Sequence, residues 1–254
     1  MIRWHCHELF HRLAPDATAG GIAVVIDVLR ASTTIVTALA EGAVAVQPLA
    51  TVVAAREAAG RLGDAALLCG ERGGVRIEGF DLGNSPAEYS SARVAGRTVV
   101  ITTTNGTAAL AACAAAREVL VGGMVNRTAV AIAVRRLAAA AGVVDVHLVC
   151  AGTDGAVAVE DVLAAGAILD AATGDAAADA FDPPSRSARD AFRRLAAAHP
   201  GEVPAALVRE FAMAPGGANL VALGMAGDLA VCARIDTVDV VPRLDRASDT
   251  LRTA

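Results

Sequence analysis

The sequence predicts an α/β fold, a three-layer αβα sandwich built around a largely parallel or mixed sheet. Along its 254 residues, short apolar runs rich in Val and Ile alternate with segments of helical length and pattern. Strands that alternate with helices in this way are typical of a largely parallel sheet with helices on both faces. The length suits a single domain spanning residues 1–254, with two closely packed lobes as the alternative.

The predicted strands are short apolar runs with the β-branched composition of buried strands. They are residues 21–28, 43–48, 65–69, 97–102, 119–122 and 144–150. The segments between and after them are predicted to be helical, the first starting at the N-cap candidates Ser32 to Thr34. The predicted helices are residues 32–41, 51–60, 107–116, 127–141, 159–173 and 187–199. Ser85-Pro86-Ala87-Glu88 has the cap, the proline and the glutamate of a further helix start.

Three further segments are irregular or ambiguous in the sequence. Residues 71–85 form a Gly-rich polar loop. Residues 174–187, with Asp, Ala and a Pro-Pro pair, are predicted to be a flexible loop or a lid. Residues 228–242 are expected to form two short strands, or one strand followed by an irregular tail.

The charge and hydropathy of the chain exclude several classes of function. The net charge is −5 and no basic stripe is present, so a nucleic-acid partner is not expected. Mean hydropathy is +0.50, but charged residues such as Arg135 and Arg136 interrupt every apolar run before it reaches the length of a membrane span. The N-terminus lacks the pattern of a signal peptide, which favours a cytoplasmic protein. A surface this apolar favours a homodimer as an alternative to a monomer.

Cysteine and lysine usage narrows the chemistry. The five cysteines are odd in number and contain no Cys-x-x-Cys pair, which is typical of reduced intracellular thiols rather than disulfides or a zinc site. The chain has no lysine, and all 22 basic residues are arginine. This composition excludes a P-loop lysine and any chemistry through a lysine Schiff base.

Candidate site residues follow the predicted strands, because ligands of open α/β sheets bind beyond the carboxyl ends of strands. We expect these residues to converge on one rim of the sheet. They are Asp27, Arg30, Ser32 and Thr33 after the first strand, Glu71, Arg72, Asp81 and Asn84 after the third, Thr103, Thr104, Asn105, Gly106 and Thr107 after the fourth, and Cys150, Gly152, Glu160 and Asp161 after the sixth.

The types of these side chains suit phosphoryl transfer. Carboxylates are the ligands of a hard cation such as Mg²⁺, and the candidates are Asp27, Glu71, Asp81, Glu160 and Asp161. Arg30 and Arg72 suit bidentate contact with a phosphate. The Thr-Thr-Asn-Gly-Thr turn opens a helix, whose free N–H groups favour an anion. A metal, a guanidinium and a helix N-terminus together indicate phosphate chemistry.

Each of these features also has a structural explanation. An aspartate at the end of a strand can serve as a cap or a turn residue. The Asn105-Gly106 pair can provide the left-handed position of a strand-to-helix turn. The prediction therefore rests on the convergence of residue types and not on any single member. On that basis Asp27, Arg30, Glu71, Arg72 and Asp81 are the predicted catalytic residues.

Four segments in this order resemble the signatures of the 2-phosphosulfolactate phosphatase (ComB) family. They are Val25–Thr34 (VIDVLRASTT), Gly70–Gly74 followed by Gly79–Pro86, Thr102–Thr107, and Cys150–Thr153 followed by Glu160-Asp161, with Asp239–Pro242 matching the end of the family pattern. The resemblance implies Mg²⁺-dependent hydrolysis of 2-phospho-3-sulfolactate to sulfolactate and phosphate, a step towards coenzyme M. The expected ligand is therefore a small phosphorylated organic acid.

The chain departs from the family pattern in two places. Asp154, Gly155 and Ala156 follow the Cys-Ala-Gly turn, where family members often carry a basic residue. Residues 214–219 are poorer in polar side chains than the resemblance leads us to expect. If either segment contacts the sulfonate, the substrate range of this chain differs from that of the family.

Other phosphatase mechanisms do not fit the sequence. A Cys-x5-Arg site needs an arginine at position 156, which is alanine. The haloacid-dehalogenase pattern needs an aspartate at position 29, which is leucine, and outside the N-terminus only His147 and His199 are available for a histidine phosphatase. Attack by water with a metal and a carboxylate base is the remaining mechanism, and Asp27 as a nucleophile is a less favoured alternative.

Two further functions are weighed against the phosphatase. His7-Glu8-Leu9-Phe10-His11 matches the zinc-protease pattern, which needs both histidines on one face of a helix. The alternative for this segment is an N-terminal strand or turn with surface histidines. A non-catalytic protein that binds a phosphorylated metabolite is the other function, although pure anion binding does not call for so many acidic residues.

Overall fold

The computed structural model describes residues 1–174 and 179–254. Within them, one mixed sheet carries helices on both faces, which confirms the predicted α/β class. The strands are β1 (Arg3–His7), β2 (Ile22–Ile26), β3 (Ala45–Pro48), β4 (Ala66–Arg72), β5 (Val75–Arg76), β6 (Thr98–Thr102), β7 (Glu118–Gly122), β8 (Asp145–Cys150), β9 (Ala180–Phe181), β10 (Pro242–Asp245) and β11 (Thr250–Thr253). The helices are α1 (Ala31–Ala40), α2 (Val52–Leu62), α3 (Ser91–Val94), α4 (Gly106–Ala112), α5 (Arg127–Ala141), α6 (Val159–Thr173), α7 (Pro183–Ala198), α8 (Val203–Met213), α9 (Pro215–Ala222) and α10 (Ala226–Cys232).

The sheet consists of two parallel sets of strands joined by a hairpin, in the order β5-β4-β6-β3-β11-β10-β7-β2-β8-β1-β9. Strands β4, β6 and β3 run parallel in one set, and β7, β2, β8, β1 and β9 run parallel in the other. The antiparallel hairpin β10–β11 meets each set through a single residue pair, Arg243 with Leu120 and Leu251 with Val46. The sheet is therefore mixed because of this hairpin and because β5 pairs antiparallel with β4.

Strand β2 shows why the core forms on both sides of the sheet. All of its residues are buried, and successive side chains point to opposite faces. Ile22, Val24 and Ile26 pack in a cluster with the helices α5 to α10. Ala23 and Val25 pack with α1 and α4, in a cluster that draws residues from both sets of strands. A strand covered on both faces ends inside the molecule, and the residues that follow β2 are accordingly buried.

The predicted loop at residues 174–187 is wrong for its described part, and residues 175–178 lie outside the described residues. Ala180–Phe181 pairs with β1, and α7 begins at Pro183. The side chain of Asp182 accepts the N–H of Ser185 at 2.8 Å and caps this helix. The two prolines occupy the first positions of the helix, where a missing N–H costs nothing, so they start α7 and do not mark a loop.

The C-terminal prediction is also wrong. Residues 228–232 belong to α10, and the two strands come later, from Pro242 onwards. No prediction covered α8 and α9, which fill the segment before α10. The predicted helix start at Ser85 is a single 3₁₀ turn over Pro86–Glu88, and the predicted loop 71–85 contains the end of β4 and the short strand β5.

The structure contradicts the zinc-protease pattern at residues 7–11. His7 is the last residue of β1, whereas His11 lies in a 3₁₀ turn over Phe10–Arg12, so the two histidines do not share a helical face. The alternative of an N-terminal strand is confirmed. Among the helices of residues 1–174 and 179–254, none is both long enough and apolar enough to cross a membrane.

Candidate active site

A polar cleft of about 110 Å³ lies where residues that follow β2, β4, β6 and β8 meet α9. We call its two sides the N-terminal wall and the C-terminal wall. The N-terminal wall consists of Asp27, Arg30, Glu71, Gly74, Asn84, Thr104 and Asn105, with Leu29 and Gly73 between them. The C-terminal wall consists of Thr153, Asp154, Pro215, Gly216, Asn219 and Leu220. The structure thus brings residues from the four predicted segments to one cleft.

Asp27 lies at the base of the N-terminal wall and is 8% exposed. Its Oδ1 accepts the N–H of Ala31 at 3.1 Å, and its own N–H donates to Ser32 Oγ at 2.9 Å. Its Oδ2 faces Gly106, where an added Cβ would come within 2.7 Å of that oxygen. Burial raises the pKa of Asp27 to about 7, with smaller contributions from the charges of Glu71 and Glu160. A carboxylate with this pKa can exchange a proton near neutral pH.

Two buried oxygen atoms near the cleft have no partner among the described residues. They are Oδ1 of Asn84, a lining residue that is 4% exposed, and Oε2 of Glu160, a residue that is 1% exposed. The other carboxylate oxygen of Glu160 lies 3.0 Å from where a Cβ on Gly216 would be. Burial raises the pKa of Glu160. Buried oxygens without donors cost stability, so this arrangement favours a bound ligand.

Arg30 is the basic residue of the cleft, and its guanidinium is held from two sides. Nη1 pairs with Asp228 at 2.7 Å, and Nη2 donates to the carbonyl of Gly74 at 2.6 Å. Ser85 Oγ donates to the same Asp228 carboxylate at 2.6 Å. The side chains of Arg30 and Asp228 are 3% and 7% exposed, so the pair is buried. The direction of the guanidinium is therefore fixed by α10.

Glu71 connects two parts of the N-terminal wall. Its Oε2 accepts the N–H of Gly74 at 2.8 Å, and its Oε1 accepts the N–H and the hydroxyl of Thr104 at 2.8 Å and 3.0 Å. The carboxylate thus ties the end of β4 to the turn after β6. Two N–H groups of the helix-opening turn are therefore already hydrogen-bonded. The Thr104 N–H donates to Glu71, and the Thr107 N–H donates to Thr103 Oγ1. Thr104 and Asn105 are the members of this turn that line the cleft.

Several predicted ligands support the backbone behind the cleft. Ser32 Oγ holds the N–H of Asp27, and Thr33 Oγ1 donates to the Val28 carbonyl at 3.0 Å. Thr107 Oγ1 donates to the Thr103 carbonyl at 3.0 Å. The carboxylate of Asp161 accepts the N–H groups of Val28 and Gly152, at 2.8 Å and 2.9 Å, and joins the ends of β2 and β8. These residues shape the turns and are not among the lining residues.

Three further predicted residues, Asp81, Cys150 and Arg72, also stay outside the lining of the cleft. Asp81 is exposed, and its carboxylate accepts the N–H of Leu68 at 2.8 Å, which makes it a local support of β4. Cys150 is fully buried in the core on the α6 side of the sheet. Arg72 donates to Thr102 Oγ1 at 3.0 Å and to the Glu71 carbonyl, beside the cleft and outside its lining. Each was selected because it lies near a strand end, and spacing alone does not say where a side chain points.

Sequence reasoning missed Asp228, which orients Arg30. The residue is the lone acid in the apolar stretch Leu223–Cys232. A single acid in such a stretch predicts a buried carboxylate, and a buried carboxylate needs a partner. That signal was available, but it does not identify the partner.

The donor set can be compared with the needs of Mg²⁺. In residues 1–174 and 179–254, no three His, Cys, Asp or Glu side chains are close enough to hold a metal ion by themselves. Mg²⁺ is usually held by one or two carboxylates, several waters and the phosphate of the substrate. Glu160 Oε2 and Asn84 Oδ1, the buried oxygens without partners, are donors of the type that such a site uses.

Comparison with known proteins identifies the family. The profile of the 2-phosphosulpholactate phosphatase family matches residues 9–247, a range that includes both walls of the cleft. The chain belongs to this family. Membership confirms the resemblance seen in the four sequence segments, and the family is one of phosphoric monoester hydrolases.

Three relatives show how far the likeness to members of the 2-phosphosulpholactate phosphatase family extends, and each is named a probable 2-phosphosulfolactate phosphatase. The relative from Deinococcus radiodurans is 42% identical over 241 residues, which cover 93% of each chain. The relative from Symbiobacterium thermophilum is 42% identical over 228 residues, 89% of this chain and 92% of its own. The relative from Synechococcus sp. is 40% identical over 225 residues, 88% of this chain and 89% of its own.

Proposed function

We propose that this protein is a Mg²⁺-dependent phosphatase that hydrolyses 2-phospho-3-sulfolactate, or a related phosphorylated hydroxy acid, through attack of water on phosphorus. The observation that supports this most strongly is the pair of buried carboxylates, Asp27 at the cleft and Glu160 behind Gly216, in a site that also holds Arg30. Family membership supports the reaction class and the small phosphorylated ligand. A cytoplasmic location and a homodimer remain predictions.

Glu160 and Asn84 are the residues that would hold Mg²⁺, because their buried oxygens have no other partner in the described chain. When bound, the ion would neutralise phosphate charge and lower the pKa of a water molecule. In this assignment Asp27 is the base and not a metal ligand.

Asp27 Oδ2 is the proton-accepting atom in the proposed mechanism. Its partner oxygen Oδ1 is already bound to the Ala31 N–H, and the absence of a side chain at Gly106 leaves Oδ2 uncovered by a Cβ. The pKa near 7 lets the carboxylate take a proton from the attacking water at neutral pH. Transfer of this proton to Asp27 generates the nucleophile, and its attack on phosphorus breaks the P–O bond to the alcohol. The leaving oxygen takes up a proton from water, and Asp27 afterwards returns its own proton to solvent.

Arg30 supplies the fixed positive charge for the phosphate. Because Asp228 and the Gly74 carbonyl hold its guanidinium, the residue loses little freedom when the substrate binds. Asn105 adds a neutral hydrogen-bonding group to the same wall, whereas Thr104 gives its N–H and its hydroxyl to Glu71. The wall therefore combines one oriented cation with polar groups for the remaining phosphate oxygens.

The test is phosphate release from 2-phospho-3-sulfolactate and a panel of phosphorylated hydroxy acids, with Mg²⁺ and with EDTA. We expect release that depends on the metal and is confined to this chemical class. A folded protein that releases no phosphate from any of them would favour the non-catalytic binder. Release that persists unchanged in EDTA would remove the metal from the mechanism.

A further inference from the structure

The C-terminal wall carries an exposed acidic residue, Asp154, whose backbone is held in a tight turn. Thr153 and Ala156 exchange both backbone hydrogen bonds, Thr153 N–H to the Ala156 carbonyl at 3.0 Å and the reverse at 2.9 Å. Between them, Asp154 and Gly155 have φ values of 51° and 74°. Two left-handed residues closed by such a pair form a two-residue hairpin turn, for which Asp-Gly is a favoured sequence. Asp154, a lining residue of the cleft, is therefore held at its place by the backbone.

The charges that line the cleft leave no cation on the C-terminal wall for a sulfonate. Asp27, Glu71 and Asp154 are the acidic lining residues, and Arg30 is the sole basic lining residue in the described chain. Arg30 is already paired with Asp228 and bound to the Gly74 carbonyl. The phosphate takes what remains of this charge, together with any bound cation. Apart from Asp154, the lining residues of the C-terminal wall are uncharged, so an additional strong acid would face a carboxylate without a counter-ion.

We propose that Asp154 accepts a hydrogen bond from the part of the substrate that lies away from the phosphate, and that this part carries a hydroxyl or an ammonium group instead of a sulfonate. The inference rests on the proposed function and narrows its substrate class to phosphorylated hydroxy acids without a second strong acid at that end. 2-Phosphoglycerate represents the class, because it carries a hydroxyl where 2-phospho-3-sulfolactate carries a sulfonate.

Electrostatics sets the expected preference. If a sulfonate lies about 6 Å from the Asp154 carboxylate, the repulsion at an effective dielectric constant of about 40 lowers kcat/KM by roughly tenfold. A hydroxyl carries no charge and gains a hydrogen bond to the carboxylate instead. We therefore expect kcat/KM to be at least about tenfold higher for 2-phosphoglycerate than for 2-phospho-3-sulfolactate.

The experiment compares these two esters, and the 3-amino analogue as the ammonium arm, in the wild type and in Asp154→Asn. Asparagine tolerates the left-handed position, so the variant removes the charge and keeps the turn. We expect Asp154→Asn to reduce the preference about tenfold, mainly by raising activity on the sulfonate. Asp154→Gly, which also suits the turn, should give the same change. Asp190→Asn, an exposed site on α7, is the matched control and should leave the preference unchanged.

Two outcomes would overturn the inference: a wild-type preference for the sulfonate, or a ratio that is the same in the wild type and both Asp154 variants. Failure of the proposed function looks different, because no ester would then release phosphate. In that event calorimetric titration of the wild type with the same esters decides the inference through binding alone. Tighter binding of the hydroxyl or amino ester supports it, and equal or tighter binding of the sulfonate rejects it.

Discussion

On the N-terminal wall of the cleft the main polar groups are tied to neighbours, whereas the C-terminal wall consists largely of small, neutral or exposed residues. Glu71, Asp27 and Arg30 make hydrogen bonds to backbone groups within their own wall, and each is buried. Of the C-terminal wall, Gly216 and Asn219 are not buried, and Asn219 makes one long contact, 3.3 Å, to the Gly73 carbonyl. We infer that the rigid N-terminal wall carries out the chemistry and that the open C-terminal wall selects the substrate.

The largest effect that tests this division is expected for Asp27→Asn. Asparagine keeps an acceptor for the Ala31 N–H but cannot take a proton, so kcat should fall about 100- to 10,000-fold. The measurement is steady-state phosphate release with the preferred ester of the panel. Asp190→Asn is the control for a surface carboxylate of the same type. Wild-type turnover in Asp27→Asn would remove the proposed base and with it the main role of the rigid wall.

The stability of the same variant separates a lost function from a lost fold. Burial raises the pKa of Asp27 to about 7, so its contribution to stability is fully present below the ordinary pKa of an aspartate and is lost as pH rises through about 7. At pH 8 in EDTA the wild type therefore carries the full cost of a buried charge. Asp27→Asn should then be more stable, by on the order of 2 kcal/mol in urea unfolding. A destabilised variant would show that its activity loss reports on folding.

The residues of the N-terminal wall are also those that were predicted from the sequence, because they lie at the ends of strands. Asp27, Glu71 and Thr104 follow short apolar strands, and chemistry that depends on a strand end leaves a local pattern of apolar run and polar residue. Asp228 has no such pattern, because its partner Arg30 lies 198 residues earlier in the chain. Helices α8 to α10 were missed for a related reason. They are short, and they are held by packing of Leu207, Phe211 and Leu229 against the core more than by their own propensity.

A second, smaller effect is expected at Arg30, which links the N-terminal wall to α10. Arg30→Lys keeps the charge, but an ammonium cannot reproduce the planar fork that spans Asp228 and the Gly74 carbonyl while facing the cleft. We expect KM to rise about 10- to 100-fold, since one charge-assisted hydrogen bond is lost, with a smaller change in kcat. Arg61→Lys, on the exposed side of α2, is the matched control. An unchanged KM would take Arg30 out of the phosphate site.

Adding one methyl group to each wall sharpens the comparison. At Gly106, which packs behind the rigid wall, a Cβ would lie 2.5 Å from the Cβ of Ala31 and 2.7 Å from Oδ2 of Asp27, a residue of that wall. Because α1 cannot yield without moving the end of β2, Gly106→Ala should lose about 1–3 kcal/mol of stability. Activity should fall with it, since the added methyl group displaces the proposed base. Thermal unfolding and turnover check the two effects, and a variant that is both stable and active would show that this wall is less rigid than its hydrogen bonds indicate.

The same change on the C-terminal wall should have the smallest effect. At Gly216 a Cβ would meet the ends of two side chains, Glu160 Oε1 at 3.0 Å and Thr153 Oγ1 at 3.2 Å, and side chains can shift by a few tenths of an ångström. Alanine is also the better helix former by about 1 kcal/mol, so Gly216→Ala should fold at least as well as the wild type. Since Glu160 is the proposed metal ligand, its small displacement should appear as a several-fold higher Mg²⁺ concentration for half-maximal activity, with kcat at saturating Mg²⁺ within about threefold of the wild type. If kcat falls and the Mg²⁺ requirement stays the same, Glu160 does not hold the metal, and the open wall takes part in the chemistry in another way.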